Sequence, residues 1–270
     1  MQIQMLRVSA MTSPFRTGIC SCAVLSATLV TLAVASTTPA AECKGTVYLT
    51  LDTGHMAPAE EIALILKRHG VKATFFLANE KTQRGDRSLD PSWAEFWKAR
   101  AAEGHSFGSH TWRHWYFRQD AGDKTTYVPW GAKSGEVLDS DGVCAEIRKS
   151  ESAFKAMTGR GFDGLWRAPG GKLTPNASKF AKSCGFRHVP WSEAGFSGDE
   201  LPSEKYPSDQ LIKTQIKNIR DGDILLWHLG IWSRKDALYP RLDELIVGLK
   251  AKGLCFERIT EHSRWRQSGK

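Results

Sequence analysis

Short apolar runs rich in β-branched residues alternate with helix-patterned stretches about seven times between residues 45 and 259. Strands are expected over 45–51, 71–78, 104–108, 162–168, 185–191, 223–228 and 254–259. Helices are expected over 58–69, 90–103, 141–158, 174–183, 208–220 and 236–252, with Asp90 and Thr174 as caps ahead of Pro91 and Pro175. Strands that read as continuous apolar runs are buried on both faces, and strand–helix alternation implies a parallel sheet of the α/β class. Seven such units in a chain of this size suggest a closed (β/α) barrel. In such barrels the chemistry gathers at the carboxyl ends of the strands. Asp52, His110 with His114, Arg167, Trp191 and His228 all stand at expected strand ends.

Residues 1–41 read as a secretory signal peptide. Arg7 and Arg16 supply the positive start, no acid precedes Glu42, and a small apolar run covers 18–35. Ala33-Val34-Ala35 fits a cleavage site, and Ala40-Ala41 is a second candidate. The competing reading is an uncleaved anchor. The run is only marginal for the ~20 residues of a membrane span and is rich in Ser and Thr. Residues 42–270 are expected as one exported domain, secreted or periplasmic, monomeric and free of the membrane after cleavage. Losing the two leader arginines takes the formal net charge from +8 to +6. That modest excess favours acidic wall polymers as partners. The basic residues are scattered among acids, which argues against nucleic acid.

Four cysteines remain outside the leader: Cys43, Cys144, Cys184 and Cys255. An even number in an exported chain suggests two disulfides, with three possible pairings. Cys43 beside the first strand and Cys255 in the last favour Cys43–Cys255 with Cys144–Cys184. Buried free thiols are the alternative.

His110 and His114 are four residues apart, and on a helical turn such residues share a face. Two neutral imidazoles suit a divalent transition metal. Accidental spacing is the plainer alternative. Residues 115–141 read as a long irregular insertion holding Tyr116, Phe117, Tyr127 and Trp130. These aromatics either form a sugar-stacking lid or pin the loop to the domain. Asp139-Ser140-Asp141-Gly142 lacks the glutamate that would complete a calcium loop and reads as a turn and helix cap. The formal sequon at Asn176 falls inside an expected helix.

The chain resembles the polysaccharide deacetylases of the NodB-homology type, carbohydrate esterase family 4, over nearly all of 44–260. Thr50-Leu51-Asp52-Thr53-Gly54 is similar to the family's T-F-D-D-G, and His110-Thr111-Trp112-Arg113-His114 to its H-[ST]-x-x-H. Arg167-Ala168-Pro169-Gly170-Gly171 resembles R-x-P-[YW]-G with glycine in place of the aromatic. Trp191 stands at the fourth motif, and Leu226-Trp227-His228 resembles L-x-H.

The resemblance implies a distorted (β/α) barrel of about seven parallel strands that deacetylates N-acetylglucosamine residues of chitin oligomers, peptidoglycan or related glycans. It implies a divalent metal, zinc or cobalt, on His110 and His114. Asp52 would be the general base, held ionised by Arg167, and His228 the general acid, supported by Asp199 or Glu193. The Gly170 amide would face the oxyanion, with Trp191 and Leu226 around the acetyl methyl. One departure bears on the metal: the family's second aspartate is Thr53 here. Either the two histidines and water bind it more weakly, or His55 supplies the third ligand, or the metal is lost. The last case would leave a glycan-binding barrel of little or no activity.

Overall fold

The computed structural model describes residues 43–266; the expected signal peptide lies outside the described residues. The first half of the domain runs β1 (Gly45–Asp52), α1 (Ala59–His69), β2 (Thr74–Leu77), α2 (Ala94–Ala102) and β3 (Ser106–Ser109). A small antiparallel unit follows, β4 (Tyr116–Ala121), β5 (Lys124–Val128) and β6 (Glu136–Leu138). Next come α3 (Ser140–Thr158), β7 (Leu165–Trp166), α4 (Pro175–Ser183), β8 (Arg187–His188) and α5 (Ser208–Asn218). The last elements are β9 (Ile224–His228), α6 (Leu242–Ala251) and β10 (Leu254–Phe256).

Seven strands form the main sheet, and every ladder in it is parallel. β1 organises it. Its first half pairs with β10, and its second half lies between β2 and β9. From β2 the sheet continues through β3 and β7 to β8. No ladder joins β8 to β9 among the described residues. The segment 192–197 lies along β9 instead, through the Phe196–Leu226 bridge and the Leu226 N–H to Gly195 oxygen bond of 2.9 Å. The expected strand number and direction are thus present, but the ladders among the described residues do not close the sheet into the expected barrel. Val47, Leu49 and Leu51 are fully buried under the helices, as continuous apolar runs require. Among the described residues no helix is long and apolar enough to cross a membrane.

Several elements are shorter than their sequence patterns. β8 stops before Pro190, which has no N–H to give a ladder. β7 begins after Gly164, whose φ is +65°. The side chain of Asp163 takes the Phe107 N–H at 2.7 Å, doing the work of a ladder bond. Asp90 does not cap a helix with its side chain; it accepts from Arg87 N, and a short 3-10 turn over Pro91–Trp93 precedes α2. The helix expected from 236 starts only at Leu242, after a second 3-10 turn at Tyr239–Arg241. Asp236 is instead drawn to Ser208, the first residue of α5.

The stretch 115–141 is not irregular. Phe117 and Tyr127, both buried, face each other across β4 and β5 with ring centroids 4.8 Å apart. They pin the unit to α4 and the sheet. Trp130 is the exception, 78% exposed, with its ring 5.2 Å from Tyr116. The Asp139 side chain accepts from Gly142 N and caps α3, as expected of a turn rather than a calcium loop. Thr174 likewise caps α4, whose Asn176 side chain binds the backbone of the β4–β5 turn.

Both expected disulfides form. Cys43–Cys255 closes a sequence separation of 212 residues and Cys144–Cys184 one of 40. On chain-entropy grounds the longer closure stabilises more. Replacing Cys43 and Cys255 by Ser should cost about 1.5 kcal/mol more in urea unfolding than replacing the other pair. An equal or reversed order would contradict that account.

Candidate active site

Register brings the site together. Asp52 is the ladder partner of both Phe76 and His228, and Ser109 pairs with Leu77 and Trp166, so the five strand ends are level. The loop after β1 then folds onto the loop after β9. A Cβ on Gly54 would lie 1.9 Å from the Gly230 carbonyl oxygen, so this approach demands glycine. Met56, Thr111 and His114 have φ between 58° and 63°, and no other non-glycine residue described has a positive φ. Each costs about 1–3 kcal/mol, and all three flank the level strand ends.

The base of the site is an ion pair taken out of water. Arg167 is fully buried and Asp52 is 2% exposed. One Arg167 nitrogen donates to Asp52 Oδ1 at 2.8 Å and to Thr50 Oγ1 at 2.8 Å, while Nε donates to the Val189 carbonyl at 3.0 Å. The guanidinium also lies over the Phe76 ring, 4.3 Å from its centre. Burial alone would push the Asp52 carboxyl up. Arg167, with His110 and His228, outweighs this and holds it below the ordinary range.

His110 and His114 meet, but not by the route that their spacing suggests. Residues 110–115 contain no helical turn. Left-handed backbone at Thr111 and His114 instead folds the rings to 4.8 Å between centroids. The loop is held from beneath. Glu146 of α3 takes Arg113 N and Nε, and the Tyr127 hydroxyl lies 3.0 Å from Glu146 and 2.8 Å from the Thr111 hydroxyl. His110 Nδ1 is 2.9 Å from the Arg167 carbonyl, and Nε2 is 3.3 Å from Asp52 Oδ2. Burial pushes His110 down to about 4, against the pull of Asp52, so the ring is neutral at pH 7.

His228 has the opposite character. Asp199 accepts from the His228 backbone N–H with Oδ2 and lies 2.9 Å from Nδ1 with Oδ1. Burial would lower the imidazole, but Asp199, with Asp52 and Glu200 beyond it, pushes it up to about 9. Of the two supports expected, Asp199 is therefore the one in place. Glu193 lies elsewhere, beside Asn218 and Arg220.

The remaining expected residues divide. Leu226 is buried on β9, and the half-buried Trp191 ring stands against Gly171, whose added Cβ would lie 2.7 Å from it. Gly170 has φ +58°, and a Cβ there would sit 3.0 Å from the Tyr116 ring. Tyr116 from the insertion thus fills the space beside the motif glycine, where a bulky residue would not fit. Thr53 is buried with its hydroxyl committed to Ala78 N–H at 3.0 Å. His55 packs against Gly230 and, edge-on, against Trp232 at 5.2 Å. It lines a cavity of about 270 Å³ shared with His228, Asp199 and Arg234.

One acid at this site escaped the sequence reading. Glu80, just beyond β2, has Oε1 3.4 Å from His114 Nδ1, and its Oε2 is buried with no hydrogen-bond partner. Among the described residues no three His, Cys, Asp or Glu side chains are already drawn around one cation position. The Thr53 departure was the one available signal: a lost carboxylate invites a search for another.

A profile of the polysaccharide deacetylase family matches residues 40–189. The chain is 28% identical over 214 residues to a peptidoglycan-N-acetylglucosamine deacetylase of Bacillus cereus, covering 79% of this chain and 66% of that one. It therefore spans about two thirds of that relative's length. It is 24% identical over 227 residues to a chitooligosaccharide deacetylase of Azorhizobium caulinodans, covering 80% and 93%. Among solved structures, a family 4 carbohydrate esterase pseudoenzyme of Bacillus anthracis superposes with a TM-score of 0.61 at 23% identity, covering 81% and 65%. That likeness concerns the fold.

The buried pair gives a direct test. Arg167→Met leaves Asp52 charged and unpaired, so unfolding stability should fall by about 3–5 kcal/mol at pH 7. Adding Asp52→Asn should recover part of it. A loss under about 1 kcal/mol, or no recovery, would contradict the pairing described.

Proposed function

Because the chain belongs to the polysaccharide deacetylase family, we propose that it is an exported hydrolase removing acetyl groups from N-acetylglucosamine residues of chitin-like oligomers, peptidoglycan or a related glycan. The observation that carries this is one level row of strand ends. It offers a carboxylate kept ionised by Arg167, an imidazole, His110, kept neutral by burial, and another, His228, kept charged by Asp199. Acid and base work assigned by environment has this character.

The family's divalent cation, zinc or cobalt, fits the donors present. His110 Nδ1 is tied to a backbone carbonyl, the arrangement that leaves Nε2 for a metal. A buried carboxylate oxygen without a partner lies beside His114. His110 and His114 would hold the ion, which when bound supplies Lewis acidity toward the acetamide oxygen and acidifies water. Asp52 takes the proton of the attacking water as oxygen bonds to the carbonyl carbon. Arg167 keeps Asp52 in its basic form. The Gly170 N–H faces the developing oxyanion. His228 donates its proton to the amide nitrogen as the carbon–nitrogen bond breaks, leaving acetate and a free amine. Leu226 and Trp191 wall the methyl. Trp130, exposed beside Tyr116, offers an apolar face on which a sugar ring stacks.

Two measurements test this reading. Acetate should be released from N-acetylglucosamine oligomers or peptidoglycan by zinc- or cobalt-supplemented protein, and Asp52→Asn should lower the rate at least ~100-fold. No acetate from either substrate class would leave the glycan-binding barrel as the reading. The second concerns pH. A general acid must carry its proton, so kcat/KM should fall as pH rises through about 9, the value for His228. Asp199→Asn removes the main raising influence and should move that limb toward about 6.5. An unmoved limb would take the acid role from His228.

A further inference from the structure

We propose that Glu80 is the anionic ligand of the divalent cation, taking from the loop after β2 the place that Thr53, just after β1, no longer fills. This rests on the metal-dependent reading above and specifies its ligand set as His110, His114 and Glu80. Two imidazoles and one carboxylate make a common three-ligand site that leaves room for water or substrate.

Thr53 has no coordinating role to offer. Its hydroxyl accepts the Ala78 N–H at 3.0 Å, which ties the end of β1 to the start of the loop carrying Glu80. Glu80 itself is clamped: its N–H donates to Ser88 Oγ at 3.0 Å and its carbonyl accepts from Ser88 N at 2.9 Å. The side chain is thus delivered beside His114, 3.4 Å from Oε1 to Nδ1. The second carboxylate oxygen, Oε2, is buried and lacks a hydrogen-bond partner. A buried acceptor left unpaired is costly, and a cation between Glu80 and the two rings would satisfy it. Loading requires the carboxylate to turn from His114 Nδ1 toward that point.

The rival role for Glu80 is to orient His114 from outside the coordination sphere, which costs about 10–100-fold in affinity when lost. A double-mutant cycle on zinc affinity separates the two. Zinc binding is measured by equilibrium dialysis against a competing chelator for wild type, Glu80→Gln, Thr53→Asp and the double variant. Metal-free melting temperatures confirm that each is folded. The expected result is a loss of more than about 100-fold for Glu80→Gln. Thr53→Asp should add little beside Glu80 but recover most of the loss in its absence, because both carboxylates serve one coordination position. A smaller loss, or an equal Thr53→Asp gain in both backgrounds, overturns the inference. Zinc held through His110 and His114 with Glu80→Gln indifferent would remove this ligand alone. A wild-type chain that takes up no more zinc than His110→Ala would remove the metal-dependent reading as well.

Discussion

A guanidinium and a carboxylate facing each other with almost no water set the terms for the rest of this molecule. Desolvating Arg167 and Asp52 is expensive, and each is tolerated only because the other is 2.8 Å away. The pair also fixes geometry. Arg167 reaches Thr50, Val189 and Asp52, so it joins β1 to the chain beyond β8 across the interior. A structure optimised for stability alone could fill this space with apolar side chains. A buried, oriented, ionised carboxylate is worth keeping when it has protons to move.

Around that pair, burial acts in opposite directions on two imidazoles. His110 has Asp52 and Glu80 nearby, yet burial prevails, leaving a neutral ring. His228 holds Asp199 at 2.9 Å with two further acids beyond, and charge prevails. Two histidines a few ångströms from one aspartate thus acquire different states because their second neighbours differ. The strained turns belong to the same arrangement: the loop with Thr111 and His114 is held by α3 and the insertion through Glu146 and Tyr127, and Met56 by its N–H to the Leu229 carbonyl at 2.7 Å.

The alternation of apolar runs with helical patterns was enough to read an α/β fold with a seven-stranded parallel sheet, and cysteine placement gave both disulfides. Strand lengths were less legible. Pro190 and the side chain of Asp163 end or replace ladders through local chemistry that periodicity does not carry. The two histidine rings do lie together, but for a reason other than the one their spacing suggests: they converge through left-handed backbone, not a helical face. The insertion looked structureless because its strands are short and their aromatics point into a neighbouring core. Glu80 stayed hidden because it lies 30 residues before His110 in sequence. Only the register of β2 with β1 and β3 brings it to the site.

The proposal is that one cation is held between His110, His114 and Glu80 beside Asp52. Anomalous diffraction at the zinc edge from metal-loaded crystals tests that most directly. The account predicts a single strong peak touched by both imidazoles and the Glu80 carboxylate. No peak, or one placed elsewhere with the two rings turned apart, would contradict it.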